Sequence, residues 1–543
     1  MDTHESTLFI SSEWCDGYAP ARRYLIITGI LVSLIFLIGV TNKWWPTPDS
    51  ALYLSLGRSL AEGNGYYFNG SPCNIVTPGL PLILAGLRIL FGDGFWAPNL
   101  FEALCGLIAL LFVYLVVSRI SNRFIALICV LGVGLSFTFY YQTHRILTDA
   151  PFAAIFWMLL YSWYRYRDGS AGWLIIIGLL TAVGLFIRAP GALILIPLVA
   201  LVLERTSGKS NRQGLLARKG LLAAATILFI VFTEISVFYW LARKYASGTP
   251  LYAQAAFSRF SSGIRASLFR IGEGLAHVPF VLTEMFTSQD GLFLVILVGL
   301  PILIIGGIGG AILWKRGHRF VLPLIVLCIL GLAISGGFGA IRSRYLLPIQ
   351  PLLFLVVIEG LCWCIWKFYQ RKGKDVSSAT YRKVVMVFVL LVIISNAPKV
   401  LRNAVYYSYL SHTRRYYEVI RSGEYAEVFE IAHMLRESGD KGLIAADASE
   451  RSILHFLSGK IVLDLPTVEN KERRNLAHAE RLYKDFLASH KNIGFIVVHC
   501  SNDSDTRSAI FNKRLVELLD NDPHWKICYN GKRYRVYQFV STQ

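Results

Sequence analysis

The sequence predicts an all-α polytopic membrane domain of about eleven transmembrane helices, followed by a soluble α/β domain outside the cytoplasm. Three observations support this prediction. Of the 543 residues, 54% are hydrophobic and only 16% are charged, which is outside the range of ordinary soluble proteins. Apolar runs long enough to cross a bilayer recur along residues 24–401. From residue 402 the sequence becomes mixed and polar, with the periodicity of a soluble domain.

The membrane domain follows a cytoplasmic tail, residues 1–23. This tail has an acidic, polar start and ends in Ala21-Arg22-Arg23, which is not the form of a secretory signal. The apolar run after it therefore predicts a retained first helix. The predicted spans lie near residues 24–42, 97–117, 124–141, 150–164, 172–187, 190–203, 220–241, 291–313, 320–341, 346–366 and 384–401.

Basic residues set the orientation of these spans, because connectors rich in Lys and Arg stay in the cytoplasm. They cluster in alternate connectors, on the side of Arg22 and Arg23, and this explains the net charge of +19 without a nucleic-acid partner. The odd number of spans places residues 402–543 outside. The cytoplasmic connectors contain Arg119 and Arg123, Arg165 and Arg167, residues 205–219, Lys315, Arg316 and Arg319, and residues 367–383; the outward connectors are 43–96, 142–149, 188–189, 242–290 and 342–345.

Two outward connectors, 43–96 and 242–290, are long enough to carry structure of their own. In the first, residues 50–61 and 80–90 have helical apolar spacing, which predicts two helices along the membrane surface. The C-terminal domain alternates predicted helices (425–437, 477–489, 508–519) with short apolar strands (443–446, 461–463, 494–498, 534–539). It holds two cysteines, Cys500 and Cys528, which could pair in an oxidising compartment, although spacing alone does not decide this.

Polar residues at the outer ends of the spans are the candidates for function, because such residues beside hydrocarbon are costly. The alternative for any one of them is an ordinary role as an interfacial anchor or helix cap. They converge on one face of the membrane, where arginines and acids together suit an anionic ligand with a base beside it. The candidates are Asp49, His144, Arg145, Asp149, Arg188, Arg342, Arg344 and Tyr345.

Several motifs share this face and occur in a fixed order. They are Asp49-Ser-Ala-Leu-Tyr53, Ala61-Glu-Gly-Asn-Gly-Tyr66, Thr77-Pro-Gly-Leu-Pro-Leu82, Leu147-Thr-Asp-Ala-Pro151, Phe186-Ile-Arg-Ala-Pro-Gly191 and Arg344-Tyr-Leu-Leu-Pro348. Over residues 24–366 this pattern resembles the GT-C glycosyltransferases, and within them the bacterial protein-mannosyltransferase and aminoarabinose-transferase-like group of families 39 and 83. One departure is visible. Thr77-Pro-Gly stands where the aminoarabinose-transferase branch has Lys or His followed by Pro-Pro, so that branch's donor and its lipid A acceptor are not carried over.

The resemblance implies a GT-C fold and an enzyme that takes a sugar from a polyprenyl-phosphate donor and transfers it on the periplasmic or luminal side. It favours Asp49 as the general base and gives Asp149 the orientation of the acceptor or of an arginine, although spacing alone does not separate these two catalytic roles. Arg188, Arg342 and Arg344 are expected to bind the donor phosphate through their planar guanidinium groups, with Tyr345 as a hydrogen-bond donor. Candidate substrate-binding residues are Lys43, Tyr53, His144 and Arg145.

No cofactor is required by the sequence, since no His or Cys cluster has zinc spacing and no Asp-rich run resembles a nucleotide-sugar metal site. A requirement for a divalent metal stays open. The acceptor is a protein, a lipid or a polysaccharide, and the expected location is the cell inner membrane. Two other classes remain as alternatives. A transporter or flippase would place charges at the bilayer midplane and show an inverted repeat, and a non-catalytic scaffold would not need Asp49 or Arg344.

Overall fold

The structure is a computed structural model. It describes residues 22–73, 75–168, 172–188, 264–287, 292–336, 343–374, 377–413, 415–420, 424–439, 442–465, 476–490, 492–500 and 509–540. The described residues divide into two compact units. The membrane unit is drawn from Met1–Asn42, Asn74–Leu80 and Gly94–Ser408, and the second unit from Lys43–Cys73, Pro81–Asp93 and Tyr409–Gln543.

Helices make up the membrane unit. Nine of the predicted spans contain a helix, while the runs 190–203 and 220–241 lie outside the described residues. The span predicted at 124–141 is broken in two, because the first helix ends at Gly134 and Ser136 caps the next by accepting from the Phe139 N–H. The helices are Arg22–Ile38, Trp96–Ile120, Arg123–Gly134, Phe137–Gln142, Asp149–Arg167, Trp173–Ile187, Ile264–Thr287, Leu292–Lys315, Val321–Gly336, Gln350–Arg371 and Ser378–Leu401.

Within the described ranges, four helical segments are long and apolar enough to cross a membrane, with mean hydropathies from 1.9 to 2.8. Their outward faces carry large apolar side chains such as Ile304 and Leu391, which are exposed as lipid-facing residues would be. Two of the segments pack closely through glycine. A Cβ on Gly309 or Gly360 would overlap a backbone carbonyl oxygen of the opposite helix, so these small residues allow the close approach. The four segments are Trp96–Ile120, Leu292–Lys315, Ser343–Arg371 and Ala379–Ser411.

A five-stranded mixed sheet forms the centre of the second unit. In spatial order its strands are Val462–Asp464, Leu443–Ala446, Ile493–His499, Tyr534–Phe539 and Trp525–Asn530. The first three pair in parallel, and Tyr534–Phe539 pairs antiparallel with both of its neighbours. The helices around it are Glu424–Glu437, Ala448–Ser458, Leu476–Ser489 and Ala509–Asp520. Both cysteines of the sheet region, Cys500 and Cys528, are free thiols.

Most of the first long loop, Lys43–Cys73 and Pro81–Asp93, belongs to the same unit as the C-terminal residues, whereas the sequence analysis placed residues 43–96 as a loop of the membrane domain. Its helix Pro48–Ala61 packs on Ala448–Ser458, where Arg58 Nη1 donates to the Phe456 carbonyl oxygen over 3.0 Å. Asn69 adds a second attachment, because its side chain accepts from the Val462 N–H over 2.7 Å and donates to the Val462 carbonyl over 2.6 Å. Asn69 thereby pairs with an edge strand as a neighbouring backbone would. The helix Gly79–Phe91 includes residues 80–90, where the second surface helix was predicted.

Candidate functional site

A buried ion pair joins two helix ends of the membrane unit. Asp149 lies in the first turn of Asp149–Arg167, where an acid interacts favourably with the helix dipole. Arg188 directly follows the helix Trp173–Ile187, which runs back beside the first one. The Arg188 Nη1 atom lies 2.6 Å from Asp149 Oδ1, and the Asp149 side chain is 0% exposed while that of Arg188 is 12% exposed. The helical hairpin therefore positions the acid and the arginine at the same end.

A second arginine approaches the other oxygen of this carboxylate. Arg344 Nε lies 3.7 Å from Asp149 Oδ2, and its side chain is 22% exposed. Arg344 belongs to the 3₁₀ segment Ser343–Ile349. This segment is held against the helix Asp149–Arg167 because Trp157 Nε1 donates to the Pro348 carbonyl oxygen over 2.8 Å. The approach of Arg344 is thus fixed by the same helix that carries Asp149.

The ring of Tyr345 lies beside both guanidinium groups. Its centroid is 5.2 Å from Arg188 Cζ and 4.9 Å from Arg344 Cζ, within the range of cation–π attraction. We call Asp149, Arg188, Arg344 and Tyr345 the arginine cluster. Two guanidinium charges face one carboxylate here, so the cluster has one positive charge in excess. A partly exposed arginine pair with excess positive charge suits an anionic ligand such as a phosphate.

Glu102 is a residue near the cluster that the sequence analysis missed. It is fully buried in the helix Trp96–Ile120, and its Oε1 accepts from the Leu147 N–H over 3.2 Å. Leu147 lies two residues before Asp149, so Glu102 supports the turn that leads into the helix at Asp149. The signal was available, because an acid inside an apolar run is a functional candidate by itself.

The turn before Asp149 contains His144 and Arg145. Both ring nitrogens of His144 face backbone carbonyl oxygens, Nδ1 that of Tyr140 at 2.8 Å and Nε2 that of Phe36 at 2.9 Å. The His144 ring therefore joins this turn to the helix Arg22–Ile38. Arg145 is buried, with its guanidinium 3.7 Å from the ring centroid of Tyr141. Their roles in substrate binding stay predictions.

The motif Thr77-Pro78-Gly79 lies against Phe186, in the motif that contains Arg188. A Cβ on Gly79 would come within 2.5 Å of the Phe186 carbonyl oxygen, so glycine is needed for this close approach. Thr77 is buried beside it in the chain. The segment that differs from the aminoarabinose-transferase branch thus contacts the backbone two residues before Arg188. Close to Arg344, Ser343 Oγ donates to Glu284 Oε1 over 2.9 Å.

Three other sequence candidates belong to the second unit. Asp49 lies in the first turn of the helix Pro48–Ala61, which the Thr47 side chain caps by accepting from the Ser50 N–H. Tyr53 lies one turn further along this helix, and Lys43 Nζ is 5.8 Å from the ring centroid of Tyr417. Arg342 lies outside the described residues. The structure therefore brings together Asp149, Arg188, Arg344 and Tyr345, and the roles of all these candidates stay predictions.

Among the residues that the structure describes, no three His, Cys, Asp or Glu side chains are placed to hold one metal ion. A phosphate could accept several charge-assisted hydrogen bonds from the arginine cluster, and the neighbouring ring provides an apolar flank.

Comparisons with known proteins point to one fold. Residues 75–240 match the family model described as dolichyl-phosphate-mannose-protein mannosyltransferase. The structure is similar to that of ArnT from Cupriavidus metallidurans bound to undecaprenyl phosphate, with a TM-score of 0.61 at 14% identity, over 96% of this chain and 99% of that one. It is also similar to the Archaeoglobus fulgidus oligosaccharyltransferase tethered with an acceptor peptide, with a TM-score of 0.58 at 12% identity, over 93% of this chain and 72% of that one. No curated protein matches the chain in sequence.

These matches confirm the resemblance that the motifs indicated. The chain is a membrane protein with the GT-C fold, which is the fold of integral membrane glycosyltransferases. The family model covers the segment that contains Asp149 and Arg188, and the structural similarity extends over nearly the whole chain.

Proposed function

We propose that the chain transfers a sugar from a polyprenyl-phosphate donor to an acceptor hydroxyl at the extracytoplasmic face of the cell inner membrane. The observation that carries this proposal is the arginine cluster, in which Arg188 and Arg344 flank the buried Asp149 beside the ring of Tyr345. Such a cluster at helix ends suits a phosphate that a lipid presents from within the bilayer.

The donor brings its own leaving group, since polyprenyl phosphate departs when the bond to the anomeric carbon breaks. Negative charge grows on the phosphate during this step. Arg188 and Arg344 would stabilise it, together with Arg342 by its place in the sequence and Tyr345 as a hydrogen-bond donor. Undecaprenyl phosphate, which the similar ArnT structure holds, is a lipid of the chemical class proposed here.

The acceptor hydroxyl must lose its proton as it attacks the anomeric carbon. Asp49 is the proposed general base, an assignment that rests on the family resemblance of its motif. The pairing of Asp149 with Arg188 at 2.6 Å supports an orienting role for Asp149, because one of its carboxylate oxygens is already engaged by the guanidinium group. Lys43, Tyr53, His144 and Arg145 are the proposed contacts to the rest of the substrates. The acceptor class, whether protein, lipid or polysaccharide, is left open.

The test uses membranes that contain the full chain and a panel of radiolabelled polyprenyl-phosphate sugars, and it follows the label into acceptor fractions. The wild type should move label from one donor, and Asp49→Asn should abolish the transfer with little change in donor binding. Asn at this position keeps the Thr47 cap of the helix. Asp93→Asn is the matched control, since Asp93 is an exposed acid of the same unit, paired with Arg88, and its replacement should leave transfer unchanged.

Two outcomes would contradict the proposal. Near-normal transfer by Asp49→Asn would remove that residue from the reaction. Movement of the labelled lipid across the bilayer, with no label ever leaving the lipid, would instead favour a flippase.

A further inference from the structure

Glu102 is a buried acid that has no role in the proposed reaction. Its side chain is 0% exposed on the second turn of the helix Trp96–Ile120. One oxygen accepts from the Leu147 N–H, and the other, Oε2, is buried without a hydrogen-bond partner among the described residues. Within those residues Glu102 also makes no ion pair. A carboxylate in such a place would be an uncompensated buried charge, which proteins avoid by keeping the acid protonated.

A second acid follows in the same turn. Asp149 comes two residues after Leu147, whose N–H donates to Glu102. The guanidinium groups of Arg188 and Arg344 are directed at Asp149. Two carboxylates that share one site do not both ionise easily, and the one without a cationic partner keeps the proton.

We propose that Glu102 is a positioning residue that stays protonated beside the arginine cluster, holding Asp149 in place without cancelling the positive charge that faces the donor phosphate. The effect on the charge that faces the donor phosphate rests on the proposed function, whereas the protonation and the positioning role of Glu102 do not. If Glu102 were ionised, two carboxylates would neutralise the two arginines. With Glu102 neutral, one positive charge remains for the anionic donor.

The backbone hydrogen bond provides the positioning. Glu102 Oε1 fixes the Leu147 N–H, and the chain enters the helix with Asp149 two residues later. Glu102→Leu removes the acceptor and leaves a buried N–H without a partner, which allows the turn and Asp149 to shift. Glu102→Gln keeps a carbonyl oxygen for the Leu147 N–H and reproduces a neutral side chain.

The decisive experiment is infrared spectroscopy of the purified full chain at neutral pH. The wild type should show the C=O stretch of a buried protonated carboxyl group, and Glu102→Gln should lose it. The matched control is Glu359→Gln, since Glu359 is equally buried but lies 2.9 Å from Arg316, and its replacement should leave the band unchanged.

A kinetic readout tests the positioning role. Glu102→Leu should lower kcat about tenfold, since the turn that positions Asp149 loses its hydrogen bond, and Glu102→Gln should restore most of the loss. A band that persists in Glu102→Gln, or failure of Gln to do better than Leu, would overturn the proposal. The infrared measurement does not require turnover, so its result is independent of whether the proposed transfer reaction is correct.

Discussion

Removal of Arg188 tests whether burial makes its ion pair with Asp149 strong. Arg188→Gln takes away the cation 2.6 Å from Asp149, whose side chain is fully buried. Breaking such a pair costs about 3–5 kcal/mol, because one charge is left buried and unpaired. Arg344 still lies 3.7 Å from the other carboxylate oxygen, so we expect the lower end, about 3 kcal/mol.

The double variant Arg188→Gln/Asp149→Asn removes the stranded charge as well as the pair. Its destabilisation should therefore be smaller than the sum of the two single variants, with a coupling energy of about 2 kcal/mol. The assay is denaturant unfolding of the four proteins in mixed micelles, which gives the free energy of each and hence the cycle.

Arg119 and Asp168 provide the matched control pair. Their side-chain atoms are also 2.6 Å apart, but their side chains are 31% and 52% exposed. The corresponding cycle, with Arg119→Gln and Asp168→Asn, should give less than about 1 kcal/mol of coupling, because solvent screens an exposed pair. Equal coupling in the two cycles, or additive losses at Arg188 and Asp149, would refute the view that burial makes this ion pair strong.

Three further predictions concern activity, topology and pH. Arg344→Lys should lose most transfer activity while the protein still inserts and folds, since the charge stays but the planar fork does not; full activity would reduce Arg344 to an interfacial anchor. Alkaline phosphatase fused after Ser411 should be active, because residues 402–543 are predicted outside; a fluorescent cytoplasmic reporter in the same place, with a silent phosphatase, would reverse the orientation. Burial lowers the pKa of His455 from 6.5, and its Nε2 accepts from the Asn69 N–H over 3.1 Å while Nδ1 faces the Lys460 carbonyl at 2.7 Å. The unfolded state then binds more protons at His455 than the folded one, so the contribution of His455 to stability should be complete above about pH 6.5 and decrease as the pH falls below it. The His455→Gln variant should lack that part of the acid loss in thermal unfolding, and an unchanged pH dependence would contradict the assignment.

Much of the architecture could be predicted because its helices and strands follow from local patterns of apolar and polar residues. Long apolar runs form helices in the membrane unit. In the second unit, the strands at Leu443–Ala446 and Tyr534–Phe539 have the predicted bounds, since short apolar runs flanked by polar residues favour buried strands. The charged residues at helix ends also pointed to the cluster of Asp149, Arg188 and Arg344, because spans that alternate in direction bring every second connector to one face.

Other features depend on contacts between distant residues, which local patterns do not contain. The attachment of Asn69 to Val462 joins positions 393 residues apart, and it is such contacts that group the first long loop with the C-terminal residues. The contact of Glu102 with the Leu147 N–H is of the same kind. The strand Trp525–Asn530 was missed because it is an edge strand with mostly exposed residues and no clear alternation. The short helix Ala448–Ser458 was missed because its few apolar residues lie between two strands.

The most direct measurement is equilibrium binding of polyprenyl phosphate to the purified full chain and to its arginine variants. If the arginine cluster holds the donor phosphate, Arg188→Gln and Arg344→Gln should each raise Kd by about tenfold or more, since a hydrogen bond to a charged group contributes roughly 1.5–3 kcal/mol. Arg119→Gln removes the same charge from an exposed pair elsewhere in the membrane unit, and it should leave Kd unchanged. Equal affinity in the wild type and in both cluster variants would contradict the assignment of the donor site.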